Sequence, residues 1–232
     1  KCDTKNFKIV NKLIKKIKPK EIYYLCGQSS VIKSFSNPVE AFRSNTVGLL
    51  NILLTVKKIK KNIKIFNAVS GEIYDNTKNN IFNEKSNIDP HSPYGVSKAS
   101  SFWLTKIFRE CYGIKCCNGI LFNHESPLRS DEFVTKKIIN HCQLIKKRKL
   151  KYLYLGNINI YRDWGWAPEY VKAMYLMLRQ KHPKDLVIGT GKRHSIRSFV
   201  YEVFRLLKIP RKHLKINTKK LIRKQDIKSY QA

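Results

Sequence analysis

The chain has 232 residues, 42% of them hydrophobic and 11% aromatic, which excludes a disordered chain and leaves room for one good-sized domain with a small lobe. Its formal charge of +31 admits a polyanionic partner. The lysines, however, are scattered in runs such as Lys57-Lys-Ile-Lys-Lys-Asn-Ile-Lys64, with no zinc-finger or RNP pattern, so a bias toward Lys, Asn and Ile outweighs nucleic-acid binding.

In chain order, Thr4 to Lys18 carries Phe7, Val10, Leu13, Ile14 and Ile17 at helical spacing, with Thr4 as the expected N-cap and Pro19 as the stop. Glu21 to Cys26 is a buried strand that ends in Gly27-Gln28-Ser29. One long helix is expected after Pro38, with Phe42, Thr46, Leu49, Leu50, Leu53 and Leu54 along it. Lys64 to Val69 is a second strand and delivers Ser70 and Glu72 at its C-terminal end. A loop with Pro90 and Pro93 leads to a helix from Tyr94 to Tyr112, and Lys115 to Phe122 is a third strand ending in Asn123-His124. Beyond Ser126 the pattern loosens: a helix near Thr135 to Lys147, a strand at Tyr152 to Leu155, a helix near Tyr170 to Gln180, a short strand at Leu186 to Ile188 and a helix at Ser195 to Leu207.

Alternating apolar strands and helices mean an α/β fold with a mainly parallel sheet. Chemistry in such sheets sits beyond the C-terminal ends of the strands, where Gln28, Ser70, Glu72 and His124 all fall. The expected division is residues 1–125 as a partial Rossmann-like domain and 126–232 as a smaller substrate lobe, interleaved with the first. No G-x-G-x-x-G opens a helix after a strand, and Gly189-Thr190-Gly191 is expected to be a turn.

No apolar stretch approaches the roughly 20 residues of a membrane span. The six cysteines (Cys2, Cys26, Cys111, Cys116, Cys117 and Cys142) show no CxxC or metal-ligand spacing. Reduced thiols, a cytoplasmic location and no metal site are the resulting expectations.

Tyr94 and Lys98 lie one helical turn apart on the same face. An ammonium beside a phenol favours the phenolate below its usual pKa of about 10, which makes the pair a proton-transfer device for a sugar or alcohol hydroxyl. Each candidate taken alone has a plainer role. Ser70 could cap a turn, Glu72 could be a solvated carboxylate, Tyr94 an amphipathic-helix residue with Lys98 reaching water, His124 a buried imidazole and Arg129 a surface charge.

With Ser70-Gly71-Glu72 and Tyr94-Gly-Val-Ser-Lys98 stand four longer motifs: Cys117-Asn-Gly-Ile-Leu-Phe-Asn-His-Glu-Ser-Pro127, Phe133-Val-Thr-Lys-Lys-Ile138, Tyr154-Leu-Gly-Asn157 and Arg162-Asp-Trp-Gly165. Together they make the chain similar, over nearly all its length, to GDP-mannose 4,6-dehydratases of the extended short-chain dehydrogenase/reductase group. The resemblance implies an NADP-dependent lyase acting on GDP-mannose, assembled as a homo-oligomer. It implies that Tyr94 deprotonates the C4 hydroxyl, that Lys98 assists it and binds the nicotinamide ribose, and that Glu72 takes the C5 proton. Ser70 replaces the family's usual Thr and keeps the hydroxyl that hydrogen-bonds the C4 oxygen.

By the same resemblance Leu25, Cys26, Gly27, Gln28, Ser29, His124 and Arg129 contact the cofactor. Asn123, Val134, Lys137, Gly156, Arg162, Arg223 and Asp226 contact the nucleotide sugar. The positive charge suits such an anionic substrate. The alternatives are a related nucleotide-sugar dehydratase or epimerase, or a non-catalytic remnant.

Besides Ser70, five positions depart from the family: Glu40 for a cofactor-contacting Tyr, Asp75 for Gly, Leu128 for Arg, Trp166 for His and Lys224 for Pro. In family terms the chain begins in the helix before the fourth strand, ahead of which the family has three strands and a glycine-rich turn. These 232 residues alone are therefore expected neither to hold NADP tightly nor to turn over.

Overall fold

The computed structural model describes residues 2–59, 62–75 and 81–216. In chain order the elements are α1 (Phe7–Ile17), β1 (Glu21–Tyr24), α2 (Val31–Ser36), α3 (Pro38–Phe42), a π-helical turn (Arg43–Val47), α4 (Gly48–Ile59), β2 (Lys64–Ser70), a 3-10 turn (Gly71–Ile73), α5 (Pro93–Tyr112) and β3 (Cys116–Leu121). There follow β4 (Asn123–Glu125), α6 (Val134–Lys146), β5 (Leu153–Leu155), β6 (Tyr161–Trp166), α7 (Ala167–Arg179), β7 (Leu186–Ile188), β8 (Arg193–Ser195), α8 (Ile196–Leu207), a 3-10 turn (Arg211–His213) and β9 (Leu214–Ile216). They form two compact units.

The first unit holds the described residues up to Phe122 together with Tyr170–Ile188. Its sheet has the order β1-β2-β3-β7, parallel throughout, with Ile65 opposite Cys116 and Ser70 opposite Leu121. β3 is buried along its whole length and β2 at all but its ends, as expected for parallel strands covered on both faces. Side chains alternate between those faces. Ile65 and Cys116 pack with Val10 and Ile14 of α1, Leu49 and Leu53 of α4 and Phe108 of α5. One residue on, Phe66 and Cys117 pack with Tyr170, Met174, Met177 and Leu178 of α7.

The structure departs from three expectations. Asn6, not Thr4, caps α1: its side chain accepts from the Ile9 N–H at 3.2 Å, while the Thr4 carbonyl accepts from the Asn51 amide at 2.9 Å. β1 stops at Tyr24, because Leu25 to Ser29 turns away from the ladder through Gly27 at φ +129. The long helix after Pro38 is interrupted by the π turn, where Ser44, Asn45 and Thr46 are all buried.

The second unit comprises Asn123–Glu169 and the described residues from Gly189 onward. A three-stranded sheet has the order β4-β6-β8, with β4 and β6 parallel and β6 and β8 antiparallel. β5 pairs in parallel with β9. Ile138, Cys142 and Ile145 of α6 and Val200, Val203 and Phe204 of α8 pack with Leu153 and Leu155 to form its core. Gly189-Thr190-Gly191 makes the expected turn: the Asp163 carboxylate accepts from the Thr190 N–H at 2.8 Å, the Thr190 hydroxyl at 2.7 Å and the Gly191 N–H at 2.9 Å. β4, β6, β8 and β9 are too short or too polar to show as strands in the sequence.

Candidate active site

β2 runs out at Ser70, whose extended backbone opens the Gly71–Ile73 turn and whose Oγ accepts from the Glu72 N–H at 3.2 Å. The serine thus caps a turn, with its oxygen as acceptor. Glu72, half-buried, follows immediately. α5 starts on a Ser92 cap, which accepts from the Gly95 N–H at 3.0 Å, with Pro93 in the first turn where its missing N–H costs nothing. A Cβ on Gly95 would stand 2.5 Å from the Glu72 carbonyl oxygen and 3.0 Å from Pro90. Glycine there lets the backbone of Glu72 close on the helix that carries Tyr94 and Lys98. Gly95 lies inside the Tyr94–Lys98 spacing, yet its role depends on a contact that spacing cannot show.

Tyr94 and Lys98 are 8% and 6% exposed. Lys98 does not reach water as its plainer role would have it; its Nζ donates to the Ala68 carbonyl of β2 at 2.8 Å and lies 5.9 Å from the centre of the Tyr94 ring. Burial pushes the Lys98 ammonium down to about 8, so the charged form still predominates near neutral pH. The Tyr94 N–H donates to Ser34 Oγ at 3.1 Å, which joins α2 to the start of α5.

After β1, Leu25, Cys26, Gly27 and Ser29 are exposed and Gln28 is half-buried. The Gln28 amide donates to the Ser30 carbonyl at 2.6 Å, and its buried Oε1 has no hydrogen-bond partner among the described residues. Glu40 does not bring a bare charge to this unit, since Lys5 Nζ pairs with it at 3.2 Å. Asp75 likewise takes His91 Nε2 as a partner at 3.2 Å.

In the second unit, Asn123 and His124 lie on β4 opposite Trp164 and Gly165. His124 is therefore a half-buried strand residue, not the tail of the third strand as the sequence suggests. Glu125 pairs with Arg129 at 3.2 Å and accepts from the Thr135 hydroxyl at 2.9 Å, and the Arg129 guanidinium lies 3.5 Å from the centre of the Phe133 ring. Val134 opens α6, with Lys137 exposed one turn later. Gly156 follows β5, and Arg162 on β6 donates to the Tyr161 carbonyl at 2.8 Å. Leu128 is 94% exposed. Arg223 and Asp226 lie outside the described residues.

The family profile described as GDP-mannose 4,6 dehydratase matches residues 1–231. The chain belongs to this family. Its relatives include the GDP-mannose 4,6 dehydratase of Drosophila melanogaster, 41% identical over 196 residues, which cover 84% of this chain and 50% of that protein. The Homo sapiens enzyme of the same name is 41% identical over 195 residues, 83% of this chain and 52% of its own. The chain thus spans about half the length of the curated relatives it matches. Among solved structures it is similar to RMD from Pseudomonas aeruginosa complexed with NADPH, at a TM-score of 0.87 and 20% identity over 94% of this chain and 75% of that one. A dTDP-glucose 4,6-dehydratase from Bacillus anthracis in complex with NAD gives a TM-score of 0.81 at 20% identity, over 94% and 66% of the two chains. These likenesses show a Rossmann-like fold for the chain.

Proposed function

We propose that the chain carries the catalytic residues of a GDP-mannose 4,6-dehydratase, which converts GDP-mannose to GDP-4-keto-6-deoxymannose, the first step toward GDP-fucose. The observation that carries this reading is the placement of Glu72, at the end of β2, against the first turn of the helix bearing Tyr94 and Lys98. Tyr94 takes the proton of the C4 hydroxyl, with the buried charge of Lys98 beside it. Ser70 hydrogen-bonds the C4 oxygen. A carbonyl at C4 acidifies C5. Glu72 would take that proton and pass it to the departing C6 hydroxyl, which leaves as water. The 5,6-alkene so formed would accept at C6 the hydride earlier removed from C4 and a proton at C5. A positioned acid or base of this kind contributes about 10²–10⁴ in rate.

NADP supplies a reversible hydride acceptor when bound. The Leu25–Ser29 turn, exposed at Leu25, Cys26, Gly27 and Ser29, suits the polar edge of such a nucleotide, and Lys98 would hold its ribose. By the family resemblance Arg162 would grip the diphosphate through charge-assisted bonds, Asn123, Val134, Lys137 and Gly156 would contact the nucleotide sugar, and His124 and Arg129 the cofactor. All six cysteines are free thiols, in keeping with the cytoplasm. No helix among the described residues is long and apolar enough to cross a membrane.

The test uses the protein as its cell makes it, supplied with GDP-mannose and NADP. A 4-keto-6-deoxy product is expected, with its rate lowered at least about 10²-fold in Glu72→Gln and Tyr94→Phe. A product that keeps its C6 hydroxyl and differs only at C4 would make the protein a simple epimerase, which does not need a C5 base.

A further inference from the structure

We infer that the outward face of the β5–β9 pair is a binding surface for single-stranded nucleic acid, held without regard to base sequence. The inference goes beyond the dehydratase reading and uses none of its residues.

Two basic runs meet at this face. Lys146 to Lys151 has five cations in six positions and no acid, and Lys208 to Lys215 has four in eight, again with no acid. The parallel pairing of β5 with β9 brings the runs together, with Leu153 opposite Leu214 and Tyr154 opposite Lys215. The His213 ring fastens the junction, donating from Nδ1 to the Lys151 carbonyl at 2.7 Å. Every lysine and arginine of the two runs is exposed. Among the described residues no carboxylate pairs with them. Acids of the same unit are engaged elsewhere: Glu125 with Arg129, Glu202 with Arg205, and Asp163 with the Thr190 turn.

Between the runs the face is aromatic. Side chains alternate along β5, so Leu153 and Leu155 enter the core while Tyr152 and Tyr154 share the outward side. Tyr154 is 59% exposed, and its ring centre lies 6.0 Å from that of Tyr152. Lys215 Nζ and Lys151 Nζ lie 4.9 and 5.4 Å from the centre of the Tyr152 ring, with the His213 ring at 6.3 Å. Rings set among cations suit a single strand, whose bases stack on the rings while its phosphates meet the lysines. A duplex keeps its bases stacked within itself and leaves the rings unused. Membrane surfaces are gripped by amphipathic helices with large apolar side chains, whereas this face is a short sheet bearing tyrosine and lysine. The missing zinc-finger and RNP patterns do not count against it, because phosphate charge supplies sequence-independent affinity. The basic run precedes the N-terminal end of β5, whereas Gly156, a proposed nucleotide-sugar contact, follows the C-terminal end.

The experiment measures binding of the full chain to a fluorescent oligouridylate of about 12 nucleotides, within the usual span of one single-strand site. Binding should weaken steeply with salt. The triple variant Lys149→Gln, Lys151→Gln, Lys215→Gln should bind at least about tenfold more weakly near physiological salt. Its plot of log affinity against log salt should flatten by about 2, since each phosphate contact on a single strand contributes about 0.7. Tyr154→Ala should lose at least about fivefold, one stacked base, with the salt slope unchanged. A charge-matched control, Lys8→Gln, Lys12→Gln, Lys16→Gln on the exposed side of α1, should change affinity less than about twofold. A control that weakens binding as much as the face variant would overturn the proposal, because net charge would then suffice. So would a wild type that does not bind, or one that binds the duplex as tightly as the single strand. Displacement of the oligonucleotide by an equal charge of polyglutamate, with Tyr154→Ala silent, would mark a surface for any polyanion. Binding to phosphatidylserine vesicles and not to the oligonucleotide would mark a membrane surface, and either result overturns the inference. The Tyr154→Ala and duplex comparisons decide the matter if the triple variant does not fold.

Discussion

Lys98 is an ammonium held out of water. In the unfolded chain its pKa is near 10.4, whereas burial brings it to about 8 in the folded one. Below about pH 8 both states keep the proton, and folding bears the full cost of desolvating the charge, on the order of 3 kcal/mol for a shift of this size. Between about 8 and 10.4 the unfolded chain binds more protons than the folded one, so this residue makes stability rise with pH. The buried thiols of Cys116 and Cys117, pushed up to about 12 by burial, act in the opposite direction once unfolded thiols begin to ionise. The contribution of Lys98 is therefore best seen as a difference. Lys98→Met should be more stable than the wild type to urea at pH 7, with the gap closing as the pH approaches 10. A gap independent of pH would show that the buried charge carries no such cost. From sequence the Tyr94–Lys98 spacing was legible, since it needs only one helical turn. The burial was not, because it depends on β2 lying beneath the helix.

At the scale of elements, the buried alternation in β2 and β3 was legible as apolar runs, and α5 as a helix with a proline start. What joins these elements to β7 was not. Arg109, in the last turn of α5, pairs with Asp185 through two bonds at 2.6 and 2.7 Å and also donates to the Cys116 carbonyl at 3.1 Å. Asp185 in turn accepts from the Asn118 N–H at 2.7 Å. The side chains are 19% and 14% exposed, so solvent screens the pair only partly. Removing one partner strands the other in a poorly hydrated place, at a cost of about 3 kcal/mol. Asp185→Ala and Arg109→Ala should each lower stability by roughly that amount, and the double variant should cost clearly less than their sum. Additive losses in urea unfolding would mean that the two act independently. These residues are 76 positions apart, and no local pattern pairs them.

At the scale of the whole molecule, α5 presents Val96, Trp103 and Ile107 along one outward face, each between 45% and 47% exposed. Residues seven and eleven positions on from Val96 share its side of a helix, which makes an apolar stripe rather than scattered exposure. It fits the homo-oligomer that the family resemblance implies, with α5 as its candidate contact face. Light scattering should then give the mass of two chains or more for the wild type, and Trp103→Glu should reduce it to one. A wild-type monomer would remove the oligomer from the reading. By itself the sequence determined the α/β class, the candidate catalytic residues and the family resemblance, because strand and helix periodicity and short motifs are encoded between near neighbours. Only the tertiary structure decided that Lys98 is buried on Ala68, that Gly95 makes room for Glu72, and that β5 and β9 bring two basic runs onto one face. Each of those depends on backbone atoms distant in the chain that folding alone brings within a few ångströms.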